Sequence, residues 1–248
     1  MADWWSELAA LIRRELAGYF ATPVAYVFLA VFLALAAAMP FYLAGFFERE
    51  IADLQPFFGF HPWLYLFLVP AVGMRLWAEE FRSGTVELLL SLPVGGWQLV
   101  LGKFLAAWLF LGLALLLTFP IWITVNVLGS PDNGVIVAAY LGSWLMAGGF
   151  LAISATLSAT TSNQVVAFIL AVLVCLLLLL IGLPAVLDPL RGWLGQGVID
   201  GLAQLSFLIR YDAISRGVLE LADVAYFVWL MALAMAANYL ILMHRVQR

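Results

Sequence analysis

Met74 to Pro93, MRLWAEEFRSGTVELLLSLP, is a charged interruption between two apolar runs of this chain. Arg75, Glu79, Glu80, Arg82 and Glu87 crowd into it, while apolar runs long enough to cross a bilayer flank it on both sides. Charges at that density are excluded from hydrocarbon. Leu88, Leu89, Leu90 and Leu92 follow Glu87 almost without interruption and need a surface to lie against. The stretch therefore reads as a short helix on the membrane face, not as a loose loop.

Of the 248 residues, 66% are hydrophobic and 10% charged, and the mean hydropathy is +1.07. A soluble domain has roughly 45–50% apolar and about 25% charged residues. The class is thus an all-α integral membrane protein, whose useful unit of length is the crossing of about 20 residues. The net charge of −4 is spread over loops and selects no partner. A single cysteine, Cys175, lies within an apolar run, which leaves no disulfide framework. No basic region followed by an apolar run and a small-residue cleavage site opens the chain, so insertion is expected to rely on the crossings themselves.

Working outward from the charged stretch, residues 1–22 form an expected N-terminal amphipathic interfacial helix: Trp4, Trp5, Leu8, Leu11, Ile12, Leu16 and Tyr19 recur at helical spacing. Residues 23–248 form an expected domain of six transmembrane helices. The first crossing covers about 24–47, starts behind Pro23 and is kinked by Pro40; the second covers about 56–78. An acidic loop of Glu48, Arg49, Glu50 and Asp53 separates them. The charged cytoplasmic segment, 75–96, leads into a third crossing over about 99–127, interrupted by Pro120. Ser130-Pro131-Asp132-Asn133-Gly134 marks a turn before the fourth, 135–159. There Gly148, Ala152, Ala155 and Ala159 make a small-residue seam for close helix packing. The fifth crossing is 165–183 and the sixth 222–243. Between them, residues 184–220 carry Asp188, Arg191, Asp200, Arg210, Asp212 and Arg216 too closely for a crossing, and short outer-face helices are expected.

With six crossings both termini share a side. Arg13, Arg14, Arg75, Arg82, Lys103, Arg245 and Arg248 fall on that side against Arg49, Arg191, Arg210 and Arg216 on the other, which predicts cytoplasmic termini.

Chemistry motifs fail one by one. Gly96 to Lys103 lacks the spacing and the Ser or Thr of a phosphate-binding loop, and Lys103 reads as an interfacial anchor at the start of the third crossing. His61 and His244 fall on opposite membrane sides and, with one cysteine, supply no metal site. Ser154 and Ser158 have no basic partner on their face and are assigned to neighbouring backbone. No ionisable residue lies at mid-depth, which disfavours an ion-coupled carrier. A membrane-embedded enzyme is disfavoured too, because no catalytic constellation converges on one face.

Arg75-Leu76-Trp77-Ala78-Glu79-Glu80, then Arg82-Ser83-Gly84-Thr85-Val86-Glu87-Leu88-Leu89-Leu90-Ser91-Leu92-Pro93 and Gly102-Lys103-Phe104-Leu105-Ala106, resemble the ABC type-2 permease family. Gly129-Ser130-Pro131-Asp132, Asn163-Gln164-Val165-Val166-Ala167-Phe168 and Arg216-Gly217-Val218-Leu219 with Asp223 and Tyr226-Phe227 extend the resemblance, which looks closest to the gliding-motility-associated GldF-like branch. It implies a type-2 ABC exporter permease fold in the cell inner membrane, working as a dimer with a second copy or a related permease. It further implies a separate cytoplasmic ATPase that carries the ATP and magnesium, this chain binding no cofactor of its own and being no enzyme. A GldG-like extracytoplasmic subunit is an implied auxiliary. Residues Glu79, Glu80, Phe81, Arg82, Gly84, Thr85, Glu87 and Leu88 are the implied ATPase-coupling site.

Their residue types suit a helix-turn-helix elbow. Gly84 can end one helix with Arg82 in its last turn, Thr85 can cap the next, and Glu87 falls in the first turn of that helix. Two functions remain open at this point: the permease of an ATP-driven exporter, or a device that transmits ATP-driven motion to an extracytoplasmic partner.

Overall fold

The computed structural model describes residues 2–43, 51–91 and 94–246. Glu48 to Glu50 of the expected acidic loop, Leu92 and Pro93 of the charged stretch, and Arg248 lie outside the described residues. The protein is all-helical, 83% helix with no strand among the described residues.

Helix α1 spans Ala2–Phe20 and α2 spans Pro23–Ala38, with Pro23 in the first turn, where its missing N–H removes nothing. At Met39–Leu43 the helix widens to a π turn, the response to Pro40, which cannot donate into the ladder. The next apolar run is divided into α3 (Gln55–Gly59), α4 (His61–Gly73) and α5 (Arg75–Ser83). Thirteen residues of α4 make about 20 Å of helix at ~1.5 Å per residue, short of a hydrocarbon core about 30 Å thick. After α6 (Val86–Leu90) come α7 (Gly96–Leu116) and α8 (Phe119–Leu128). The break between these two lies just before Pro120, where Thr118 donates to the Leu115 carbonyl at 2.6 Å and meets the Tyr140 hydroxyl at 2.9 Å.

The turn signal ahead of α9 (Asn133–Ser158) resolves into a helix cap: the Asp132 carboxylate accepts from Gly134 N–H at 2.8 Å and Val135 N–H at 3.3 Å. Asn163 caps α10 (Gln164–Leu180) in the same way. α11 (Pro184–Leu190) bends 75° away from α10, and α12 (Gln196–Gln204), α13 (Phe207–Ser215) and α14 (Leu221–Val246) complete the chain. Among the described residues four stretches, 23–42, 96–128, 133–158 and 221–246, are long and apolar enough to cross a membrane, and the bent α10–α11 pair makes up to five.

α9 is the hub. Of its spanning window 72% is buried within the protein, against 17% for α14, so the first is core and the second lies on the outside of the bundle. Its small residues permit this. Gly148 lies against Met231 and Trp108, and Gly142 against Ile214 and Tyr211, where no side chain would fit without displacement. Ala152, Ala155 and Ala159 are buried beside them. Polar ties add register: His61 Nδ1 and the Tyr65 hydroxyl meet Ser143 Oγ at 2.8 and 2.7 Å, and Thr156 donates to the Ala234 carbonyl at 2.7 Å. At the far end, α13 is drawn inward, with Gln55 donating to the Ser215 carbonyl at 2.6 Å and Tyr211 to the Phe58 carbonyl at 3.2 Å.

Candidate functional site

The charged end of the bundle is built around a break in a helix. α4 stops at Gly73, Met74 is the joint, and α5 begins at Arg75. A new helix start presents N–H groups with no partner of their own. Another helix supplies one. The Ser158 hydroxyl, on the last residue of α9, accepts from Trp77 N–H at 3.1 Å and Ala78 N–H at 2.9 Å, and donates to the Met74 carbonyl at 2.7 Å. One hydroxyl has the capacity for all three. One turn away on the same face of α9, Ser154 presses its Cβ against Gly73, a position closed to any side chain. Ser154 bonds its own helix, donating to the Phe150 carbonyl at 2.7 Å, while Ser158 bonds the backbone of a neighbouring helix and clamps the α4–α5 joint to α9.

The elbow itself has the shape its sequence predicts. Gly84 takes φ 71°, a left-handed conformation that favours glycine, and the Gly84 and Thr85 N–H groups both return to the Glu80 carbonyl. Arg82 stands in the last turn of α5, and Glu87 in the first turn of α6. Thr85 differs from expectation: it makes no side-chain bond to the backbone of α6, and its hydroxyl donates instead to the Glu80 carboxylate. The nearby anion is the stronger acceptor.

Lys103 is more than the interfacial anchor its position suggested. It is 4% exposed, with its ammonium 2.7 Å from Glu80 and 3.1 Å from Glu15, and 5.7 Å above the Trp77 ring. The cause is the docking of α1, which runs beside α7 in the same direction. Glu7 meets Gln98 at 3.0 Å, Leu11 fills the space that Gly102 leaves, Glu15 meets Lys103, and Tyr19 stacks on Phe110 at 5.0 Å. The whole of 96–128 spans 33 residues, about 50 Å of helix at ~1.5 Å per residue, longer than a ~30 Å hydrocarbon core, which leaves room for the end bearing Gln98 and Lys103 to lie outside it. Burial opposes ionisation of Glu80, but the Lys103 ammonium and its hydrogen bond, the Thr85 hydroxyl and the charge of Arg14 outweigh it and hold the carboxyl below the usual range.

A second bond ties α5 to the end of the chain. The Arg245 guanidinium lies 3.8 Å from the centre of the Phe81 ring and donates to the Ala159 carbonyl at 3.0 Å. Phe81, one of the implied coupling residues, is thus covered on one face by α14 of its own chain.

The eight implied coupling residues therefore separate into two sets. Glu79, Arg82, Gly84, Glu87 and Leu88 are exposed, Leu88 by 69%, while Glu80, Phe81 and Thr85 turn toward the protein. Sequence reasoning missed Glu15, Ser158 and Arg245, and mistook the surroundings of Lys103. One signal was available: Lys103 is the sole ionisable residue of the apolar stretch 96–128, and such a group calls for a partner. Among the described residues, no three His, Cys, Asp or Glu side chains converge as a metal ion would need.

The family model for the ABC-2 family of transporter proteins matches residues 25–243, from the start of α2 into the last turns of α14. The chain belongs to that family, and is a multi-pass membrane component of an ABC transporter. No curated protein matches it.

Proposed function

We propose that the chain is the permease subunit of an ATP-driven exporter of the GldF-like branch, and that the α5–α6 elbow receives a separate cytoplasmic ATPase. The observation that carries this reading is the division of the elbow into an exposed ridge and an anchored root. Glu79, Arg82, Glu87 and Leu88 are presented outward, while Ser158, Lys103 and Arg245 fix the root to α9, to α1 and α7, and to α14. A push on the ridge is thereby delivered to four helices at once. The exposed apolar Leu88 with flanking charges suits a partner's groove and its rim.

In this assembly the partner subunits bind ATP and magnesium, and a second copy or a related permease completes the pathway. The chain sits in the inner membrane with both termini in the cytoplasm. In favour of that orientation, α1 and the last turn of α14 share the elbow's end of the bundle and bring Arg13, Arg14 and Arg245 to it beside Arg75 and Arg82. Six crossings result if α3, α4 and the start of α5 together make the second. A second reading, transmission of motion to a GldG-like extracytoplasmic subunit without transport, draws on the outer segment, where Trp193 is 90% exposed and Val198 52%.

Glu87→Ala and Gly84→Val test the coupling role. A β-branched residue at the φ of Gly84 distorts the elbow at a cost of about 1–2 kcal/mol, and Glu87→Ala removes a ridge charge. Both variants should insert and purify normally yet lose most of their stimulation of ATP turnover by the partner. Unchanged co-purification and unchanged stimulation in both would refute the assignment.

A further inference from the structure

Two cavities open side by side where α1 meets α5 and α7. The first, 390 Å³, is lined by charge: Arg14, Glu15, Arg75, Glu79, Glu80 and Lys103. The second, 360 Å³, is an apolar groove between α2 and α4, with Val27, Phe28, Val31, Leu68 and Phe110 in its wall. They share Tyr19, Thr22 and Arg75, so the charged cavity gives directly onto the apolar one.

The charged cavity contains three cations and three anions, but they are not equally engaged. Lys103 is spent on two carboxylates; Glu15 uses one oxygen on Lys103 and the other on Arg14, and Glu80 uses one on Lys103 and the other on Thr85. Arg14 engages Glu15 through Nη2 at 2.9 Å and Arg75 engages Glu79 through Nε at 3.4 Å, each guanidinium having five N–H donors. Glu79 meets Arg75 through Oε2 and keeps its second oxygen for another donor. What the cavity offers a ligand is thus two guanidinium edges, the geometry that takes a phosphate, and one carboxylate, the group that takes an ammonium. The apolar groove begins at the same residues and runs toward Phe28 and Phe110, deeper along α2 and α7.

We propose that this pair of cavities binds one phospholipid of the adjoining leaflet, zwitterionic and carrying a primary ammonium. Its phosphate lies on Arg14 and Arg75, its ammonium on Glu79, and an acyl chain occupies the groove. A net-neutral charged cavity selects against an anionic lipid, and a carboxylate hydrogen bond selects a primary ammonium over a quaternary one. Bound there, the lipid bridges α1, α2 and α5 beside the ion pair of Lys103. The inference needs only the membrane embedding of the chain, not the ATPase-docking role of the elbow.

The full chain, reconstituted in nanodiscs of mixed phosphatidylethanolamine, phosphatidylcholine and phosphatidylglycerol and re-extracted in mild detergent, should retain one phosphatidylethanolamine by native mass spectrometry. R14Q/R75Q should weaken retention about tenfold, as expected for lost hydrogen bonds to a charged group. V27W, on a lipid-exposed wall of the groove, should do the same without touching a charge, and so decides the matter if the arginine variant unfolds. R191Q, outside both cavities, should retain lipid as the parent does. Undiminished phosphatidylethanolamine in V27W or in folded R14Q/R75Q would overturn the proposal, as would parent protein that retains phosphatidylcholine or phosphatidylglycerol equally well.

Discussion

Lys103→Met should destabilise the protein by about 3 kcal/mol, the lower end of the cost of removing one partner from a buried ion pair. The side chains of Glu15 and Glu80 are 18% and 22% exposed, so Glu80 would be left largely out of water without its cation, and Glu15 with Arg14 alone. Thermal unfolding in detergent measures the loss. The triple variant E15Q/E80Q/K103M, in which no charge is stranded, should recover much of it.

The pH dependence has a definite sign. Glu80 is held below its ordinary value of 4.5, so its contribution to stability is fully present above that value and is lost as pH falls through the lower folded one. In Lys103→Met the ammonium that does most to lower the carboxyl is gone while burial remains, and the loss should begin at higher pH. A variant as stable as the parent, with the same acid limb, would show that the ammonium holds nothing together.

Ser158→Ala should have the next largest effect. It removes a hydroxyl of a few atoms and leaves its helix intact, yet deprives Met74, Trp77 and Ala78 of their shared partner. A buried backbone group left unsatisfied costs about 1–3 kcal/mol, and with partial relaxation at the joint the sum should be about 2 kcal/mol. Amide exchange reads it locally: protection at Trp77 and Ala78 should fall about thirtyfold, which is the same free energy in another form. Equal protection in parent and variant would remove Ser158 from the clamp.

The fold was legible wherever one local rule decided the matter. Pro40, Pro120, Asp132 and Gly84 each act through their own backbone or that of near neighbours, and the structure has a π turn, a break, a cap and a left-handed turn at or beside them. The length of α4 was not legible. The apolar run across 56–78 reads as continuous, but the helix is broken at Met74, beside the close approach of Gly73 to Ser154. That approach belongs to a residue 81 positions away, beyond any hydropathy window.

The site divides in the same way. Exposed ridge residues such as Glu87 and Leu88 follow from the charged stretch alone, because no other element among the described residues covers them. Thr85 and Phe81 did not follow, since Glu80 and Arg245 compete for them across the fold. Lys103 was misread because an isolated lysine at a helix end is equally suited to headgroups and to a buried carboxylate pair. Only the register of α1 against α7 chooses between these.

Cross-linking shows whether the exposed ridge of the elbow meets the ATPase. Leu88→Cys in the assembled complex, in a background where Cys175 is replaced by Ser, should cross-link to the ATPase subunit, and Trp193→Cys on the outer segment should not. Cross-linking from position 193, or none from position 88 in a complex that hydrolyses ATP, would contradict it.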